Sequence, residues 1–348
     1  MTIQSKKIKS FLREKASSLC EKLENSVIAH SALKGSVIFG PVPSRRLGFS
    51  LGINTIKCKV CTYDCIYCQV GRTNCCSTCS DTFLTQYELF CFVKKKLEKL
   101  VKEGVKIDYL SFVPSGEPTV DSNLGKKILL LREFGYKIAV FTNASLLWKS
   151  SVKENLMFTD YVSVKIDTVT DDTWKKINRP HTRLRLNTIL NGISDFSKIY
   201  KGKLTTETML VKNFNDNIEE IEQVINFIKT IKRSNSYFTI PTRPPAEEFQ
   251  ALPDGQTLTK LSQYIKENIP DSEALFFPES NDFKAAGKTE DEILGITRIH
   301  PMREESIKKL IREMGANDET LNNMINKGLL LKRIYQNKIF YSAKVKQE

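Results

Sequence analysis

Histidine is almost missing from this chain, whose 348 residues hold only His30, His181 and His300. Imidazole acid and base chemistry therefore has little material to work with. Also lacking is any apolar run near the roughly 20 residues that a membrane-spanning helix needs. No internal repeat, low-complexity tract or signal-peptide pattern is evident, so a reducing cytoplasm is the expected compartment and no membrane partner is expected. Balance of charge is absent too: 53 Lys and Arg stand against 40 Asp and Glu, a formal net charge of +13. Such a field favours nucleic acid, an acidic protein or the negative face of an electron carrier, without choosing among them.

What the chain does have is cysteine, nine in all and strongly grouped. Cys61, Cys65 and Cys68 form a C-x3-C-x2-C run. Three thiolates this close can hold three irons of a cubane cluster and leave the fourth iron open to a reactive ligand. A structural zinc knuckle is the competing reading, with Cys58 as its fourth ligand. Cys75, Cys76 and Cys79 follow closely. With Cys58 they make a candidate second site for an auxiliary iron-sulfur cluster or zinc, the alternative being spare thiols. Cys20 and Cys91 lie among apolar neighbours in helical patterns and are expected as small buried hydrophobes.

Around the cysteines the chain reads as repeating strand and helix. Apolar runs at Phe49 to Ile53, Asp108 to Val113, Tyr136 to Phe141, Tyr161 to Ile166, Glu207 to Val211 and Tyr237 to Pro241 each end in polar residues. That is the pattern of barrel strands whose outlet loops build a site. Helical spacing from about Gln86 to Val101 turns Phe92, Leu97, Leu100 and Val101 inward and leaves Lys94, Lys95, Lys96, Lys99 and Lys102 in solvent. Another helix is expected from about Ile3 to Ile28. The stretch from Gly40 to Gly48, with two prolines, reads as a loop carrying Arg45 and Arg46, which could bind a phosphate or carboxylate or form internal salt bridges.

The run of three cysteines, with Tyr67 before the last, resembles the cluster loop of the radical S-adenosylmethionine (SAM) superfamily. The resemblance implies a [4Fe-4S] cluster whose free iron takes the amino and carboxylate groups of S-adenosylmethionine, and reductive cleavage to a 5'-deoxyadenosyl radical. It implies that the backbone of Ser115, Gly116 and Glu117 meets the amino group of the cosubstrate, and that Tyr67 packs near the adenine. Asn143 and Lys165, and less directly Asp167, are the candidates for its ribose or carboxylate. The stretches F-G-P-V-P-S-R-R-L-G, G-E-P-T, I-N-R-P-H and T-R-P-P-A-E resemble a branch grouped with the wyosine tRNA synthases. Arg45, Arg46 and His181 lie in those stretches and are the candidates for contact with substrate.

The expected fold class is α/β. A partial (β/α)6 TIM-like barrel over residues 38–298 would follow a helical extension at 1–37 and precede a winged-helix-like module at 299–348. In that module Ile307, Leu310 and Ile311 mark one helix, Leu321, Met324 and Ile325 a second, and Leu329 to Ile334 with Lys338 to Tyr341 two strands of a wing. The expected function is radical modification of a macromolecular substrate, RNA (tRNA among them) or protein, with an electron from a flavodoxin- or ferredoxin-like donor. A peptide or small-metabolite substrate and a non-catalytic iron-sulfur regulator that binds nucleic acid are the alternatives.

Overall fold

A computed structural model describes residues 37–56, 59–247, 252–278 and 280–344. The expected N-terminal helix, Cys20 and Cys58 lie outside the described residues. In chain order the elements begin with β1 (Ile38–Ser44), β2 (Gly48–Ile53), β3 (Val60–Cys61), β4 (Cys75–Cys76), α1 (Gln86–Lys102), β5 (Tyr109–Phe112), α2 (Leu124–Leu131) and β6 (Lys137–Thr142). They continue with α3 (Ser150–Leu156), β7 (Tyr161–Lys165), α4 (Asp171–Asn178), α5 (Leu186–Ile199), β8 (Lys203–Met209), α6 (Ile218–Lys229), β9 (Asn235–Thr239), α7 (Gly255–Asn268) and β10 (Ser272–Leu275). The chain ends with α8 (Thr289–Ile299), β11 (Met302–Arg303), α9 (Glu304–Glu313), α10 (Glu319–Asn326), β12 (Leu330–Tyr335) and β13 (Lys338–Ala343).

The main sheet has eight strands in the order β1-β2-β5-β6-β7-β8-β9-β10. Only β1 runs antiparallel to its neighbour; every other pairing is parallel. This is a partial TIM-like barrel. The six expected strands are all present, and two more flank them at the edges. The first of these corrects the expected loop at 40–48: residues 38–44 are strand, and Arg45 and Arg46 occupy the turn of a hairpin. Pro41 and Pro43 are tolerated there because, among the described residues, β1 lies on an edge and pairs with β2 alone.

Helices cover the sheet because their apolar stripes match it. On α1 the buried stripe is Leu89, Phe90, Val93, Leu97 and Leu100, whereas Val101 is exposed, a shift from the expected face. Lys96 also departs from expectation, being buried against Glu292 of α8 at 2.5 Å. Cys91, on the same helix, is half-buried and disulfide-bonded rather than a free apolar filler.

The C-terminal module consists of α9, α10 and the sheet β11-β13-β12, and it resembles a winged helix. Gln336 and Asn337 both have positive φ, 51° and 57°, as a two-residue hairpin turn demands. Ile307, Leu310, Ile311, Leu321 and Met324 share one apolar cluster with Phe39 of β1 and with Ile293, Ile296 and Ile299 of α8. The wing lies on the barrel: Tyr335 Oη donates to Pro241 O at 2.9 Å and Arg333 Nη2 to Pro245 O at 2.8 Å. Among the described residues no helix is long and apolar enough to cross a membrane.

Candidate active site

The loop after β2 carries Cys61, Cys65 and Cys68, all partly buried and all free thiols. Burial pushes the Cys61 thiol well above its ordinary value, and Cys65, Glu117 and Cys68 push it further. Cys65 is raised to about 12, by burial first and then by Asp167 and Cys68. For both thiols, burial is the main cause and neighbouring anionic groups add to it. A bound cation would relieve the same penalty, since thiolates are the form that ligates.

Two segments hold this loop in place. The turn after β5 approaches it from one side, where a Cβ on Gly116 would come within 1.8 Å of Val60 O. Only glycine fits so close a backbone approach. Glu117 N donates to Val60 O at 3.2 Å, and Ser115 N to Asn54 Oδ1 at 3.0 Å. The Glu117 carboxylate turns inward, where Thr119 N and Oγ1, Thr142 Oγ1 and Asn143 N all donate to it. Burial nonetheless keeps its pKa above the ordinary value.

On the other side, residues 177–181 run along the cysteine loop. Asp64 N donates to Asn178 O at 3.0 Å, Ile66 N to Ile177 O at 3.0 Å, and His181 N to Thr62 O at 2.9 Å. The Arg179 guanidinium reaches Glu247 at 2.6 Å, and Arg72 of the cysteine loop pairs with the same carboxylate. Arg179 itself sits in the left-handed region, φ 44°, a strain that its ring of partners sustains.

Below the loop a chain of alternating charge descends the barrel lumen. Tyr67 Oη donates to Asp167 Oδ2 at 2.5 Å, and Lys165 Nζ lies 3.4 Å from Asp167 and 3.1 Å from Glu207. Glu207 meets Arg46 Nη1 at 2.5 Å, and the Arg46 guanidinium lies between the rings of Phe141 and Tyr237 at 4.8 and 5.2 Å. Burial would raise Glu207, but Arg46 and Lys165 override it and hold the carboxyl at about 2. Burial would likewise lower Lys165, yet Asp167 and Glu207 leave it above its ordinary value.

Cys61, Cys65, Cys68, Glu117, Asn143, Tyr67, Lys165 and Asp167 thus gather at one mouth of the sheet. Asn143 turns its amide toward Thr62 Oγ1 at 2.8 Å and Cys61 Sγ at 3.6 Å. The three substrate-contact candidates do not meet one another. Arg45 is exposed and donates to Leu275 O at 2.8 Å and to Phe277 O, Arg46 fills the lumen, and the His181 ring accepts from Arg183 N at 3.2 Å within its own loop. Cys75, Cys76 and Cys79 are exposed free thiols, the first two on β4, which pairs with β3 at the start of the cysteine loop, and the third just beyond it. Among the described residues no three or more His, Cys, Asp or Glu converge on a single ion position.

Several residues in this assembly escaped the sequence reading. Asn54, Asp64, Arg72, Asn178, Glu207 and Glu247 are ordinary polar residues until the fold brings their partners near. The motifs N-R-P-H and T-R-P-P-A-E are visible, but nothing in their spacing says that Arg179 of the first meets Glu247 of the second.

A model of the radical SAM superfamily matches residues 55–228 of the chain. The UPF0026 protein MJ1312 of Methanocaldococcus jannaschii is 42% identical over 313 residues, covering 89% of this chain and 97% of that protein. The GTPase Obg of Brachyspira hyodysenteriae is 29% identical over 321 residues, 90% of this chain, but the chain spans only 46% of it. Among solved structures, a radical SAM methyltransferase from Sphaerobacter thermophilus superposes with a TM-score of 0.52 at 14% identity, over 66% of this chain and 68% of that one. At that identity the likeness is one of fold.

Proposed function

Because the chain belongs to the radical SAM superfamily and is an enzyme of that class, we propose that Cys61, Cys65 and Cys68 hold a [4Fe-4S] cluster and that S-adenosylmethionine is cleaved beside it to modify a macromolecular substrate. The observation that carries this reading is the clamping of the cysteine loop between the Gly116 turn and residues 177–181. The donor set fits the group: three thiols, partly buried, with side-chain amides of Asn143 and Asn178 turned toward two of the sulfurs. When bound, the reduced cluster would supply the electron that breaks the sulfonium bond, giving methionine and a 5'-deoxyadenosyl radical.

The chain's own residues orient and seclude. Gly116 lets the backbone of the turn come against the cysteine loop, and Glu117 fixes that turn to β6 through Thr142 and Asn143. Carbonyls on such a turn accept from an ammonium group, the role proposed for Ser115 to Glu117 toward the cosubstrate. Lys165, facing the mouth with Asp167 and Glu207, offers a cation to the methionine carboxylate. Arg46 and its aromatic neighbours fill the lumen beneath, so that the reacting atom of the substrate is presented from the mouth. Hydrogen abstraction by a carbon radical depends on this positioning more than on a proton relay, in keeping with the scarcity of histidine.

For the substrate, the resemblance to the wyosine tRNA synthases supports tRNA, with which the net charge of +13 is compatible without selecting it. Modification of a protein, peptide or small metabolite is the outcome to be distinguished from it. A flavodoxin- or ferredoxin-like protein is the proposed electron donor. Cys58, Cys75, Cys76 and Cys79 are proposed as an auxiliary metal site.

The test is anaerobic purification with iron and sulfide analysis, then reduction with S-adenosylmethionine and measurement of methionine and 5'-deoxyadenosine. Iron, sulfide and both products are expected. Zinc alone would overturn the cluster, and a loaded protein that binds the cosubstrate yet never yields either product would overturn the cleavage. Comparing masses of cellular RNA and protein with and without the gene identifies the substrate.

A further inference from the structure

Asn178 is buried, and its side-chain nitrogen stands 2.8 Å from Asp167 Oδ2, 3.4 Å from Cys65 Sγ and 3.4 Å from Tyr67 Oη. The orientation of this amide is dictated by its surroundings. Asp167 is a carboxylate paired with Lys165, and it also accepts from Tyr67 Oη and Met209 N, so it presents only acceptors to Asn178. One N–H of the amide is therefore held by Asp167, and the second is directed to the Cys65 sulfur and the tyrosine oxygen. The backbone of the same residue is pinned as well, since Asn178 O accepts from Asp64 N within the cysteine loop itself. Main chain and side chain together leave Asn178 no freedom to turn away.

We infer that Asn178 is a positioning residue that sets the reduction potential of the cluster by donating a hydrogen bond to the sulfur of Cys65. The inference rests on the proposed cluster and deepens it. An N–H dipole aimed at a cluster sulfur lies with its positive end toward charge that increases on reduction, so it stabilises the reduced form and raises the potential. Asp167 acts one step further out. By engaging the first N–H it directs the second to the sulfur, which gives this carboxylate a role other than direct contact with the cosubstrate.

The experiment is a redox titration of the reconstituted protein, followed by electron paramagnetic resonance. Asn178→Leu keeps the branched shape of the side chain, at a somewhat larger volume, and removes the donor. At equal iron content the variant is expected to show about a tenfold smaller reduced-to-oxidised ratio at a fixed solution potential, a midpoint more negative by about 59 mV for one electron. Asn178→Gln, which retains the donor, is expected to recover part of the shift. An unchanged midpoint at equal iron would overturn the inference.

If Asn178→Leu loses iron, the wild-type protein still decides. With asparagine side chains labelled by 15N, pulsed resonance of the reduced cluster is expected to show a nitrogen coupling that persists in Asn143→Ala. Its absence from the wild type, or its loss in Asn143→Ala, would overturn the inference. Loss of every iron-sulfur signal from wild-type protein would be a failure of the functional reading, distinct from an unmoved midpoint.

Discussion

Arg179 and Glu247 meet at 2.6 Å on the flank of the cysteine loop, and the same carboxylate takes Arg72 from within that loop. Glu247 N also donates to Ile66 O at 3.1 Å, so one residue anchors the loop by backbone and side chain. Glu247→Ala removes the nearer of two carboxylates that both guanidiniums share and leaves them the more distant Asp64, 3.7 Å from Arg72 and 4.0 Å from Arg179. Both are partly open to solvent, which limits the expected loss of stability to about 1–2 kcal/mol. The larger effect is expected on iron: reconstitution of this variant should give substoichiometric iron per chain, read by colorimetric assay beside its melting temperature.

Gly116→Ala should do more damage than its size suggests. The added methyl would lie 1.8 Å from a backbone oxygen and 2.7 Å from a backbone carbon of Val60, so the strand leading into Cys61 has to move. A destabilisation of about 3 kcal/mol is expected from such overpacking, with loss of iron loading. Chemical denaturation and iron analysis of the same preparation check both. A variant that loads iron like the wild type would contradict the role assigned to this turn.

Glu207 predicts a pH dependence. Its carboxyl is held at about 2 in the folded protein, below an ordinary value of 4.5, and at 1.36 kcal/mol per unit this is about 3 kcal/mol of stability. A group whose pKa is depressed on folding contributes fully above its unfolded value, and the contribution fades as pH falls through the folded one. Glu207→Gln should therefore be less stable than wild type by about 3 kcal/mol at neutral pH, with the gap shrinking below about pH 4.5 and closing near pH 2. Parallel urea melts across that range measure it, and a gap independent of pH would reject the assignment.

Truncation before Ile299 separates two roles for the C-terminal module. Phe39, Ile293 and Ile296 share its apolar core, so the shortened chain is expected to lose cooperative thermal unfolding. If it folds, loads iron and cleaves the cosubstrate, yet no longer modifies the substrate, the module serves recognition instead.

Iron content addresses the auxiliary site. A single cluster corresponds to about four irons per chain, and a second cubane on Cys58, Cys75, Cys76 and Cys79 to about eight. With the auxiliary site filled by iron, the quadruple alanine variant should fall from the higher value to the lower, and a wild-type value near four would eliminate that second cluster.

How far the sequence could be read depended on what kind of contact was at stake. The cysteine spacing and most of the six central strands were legible because both signals are local, whereas the strand expected at 207–211 lies at 203–209. The edge strand at 38–44 was hidden by Pro41 and Pro43, which exclude a central strand but not an edge. Residues 203–209 were legible only in part, since Thr205, Thr206 and Thr208 look like loop yet are buried with their hydroxyls bonded to Tyr161 Oη, Ser236 Oγ and Ile166 O. The pairing of Arg46 with Glu207 spans 161 positions and has no local trace. Asn178 could be seen within a motif, but its task depends on Asp167 and Cys65 arriving from other elements.

Among the described residues the barrel does not close by a ladder. Its outermost strands are β1 and β10, and Arg45 in the hairpin turn after β1 reaches the carbonyls of Leu275 and Phe277 at the far end of β10. One guanidinium thus works as a latch on the rim, where a full barrel would have a row of backbone bonds. Releasing it requires the loss of a pair of hydrogen bonds and leaves every strand pairing intact. With a backbone partner on one side alone, the described edge at Ser272–Leu275 should show amide exchange ahead of that in β6 and β7, which are paired on both sides.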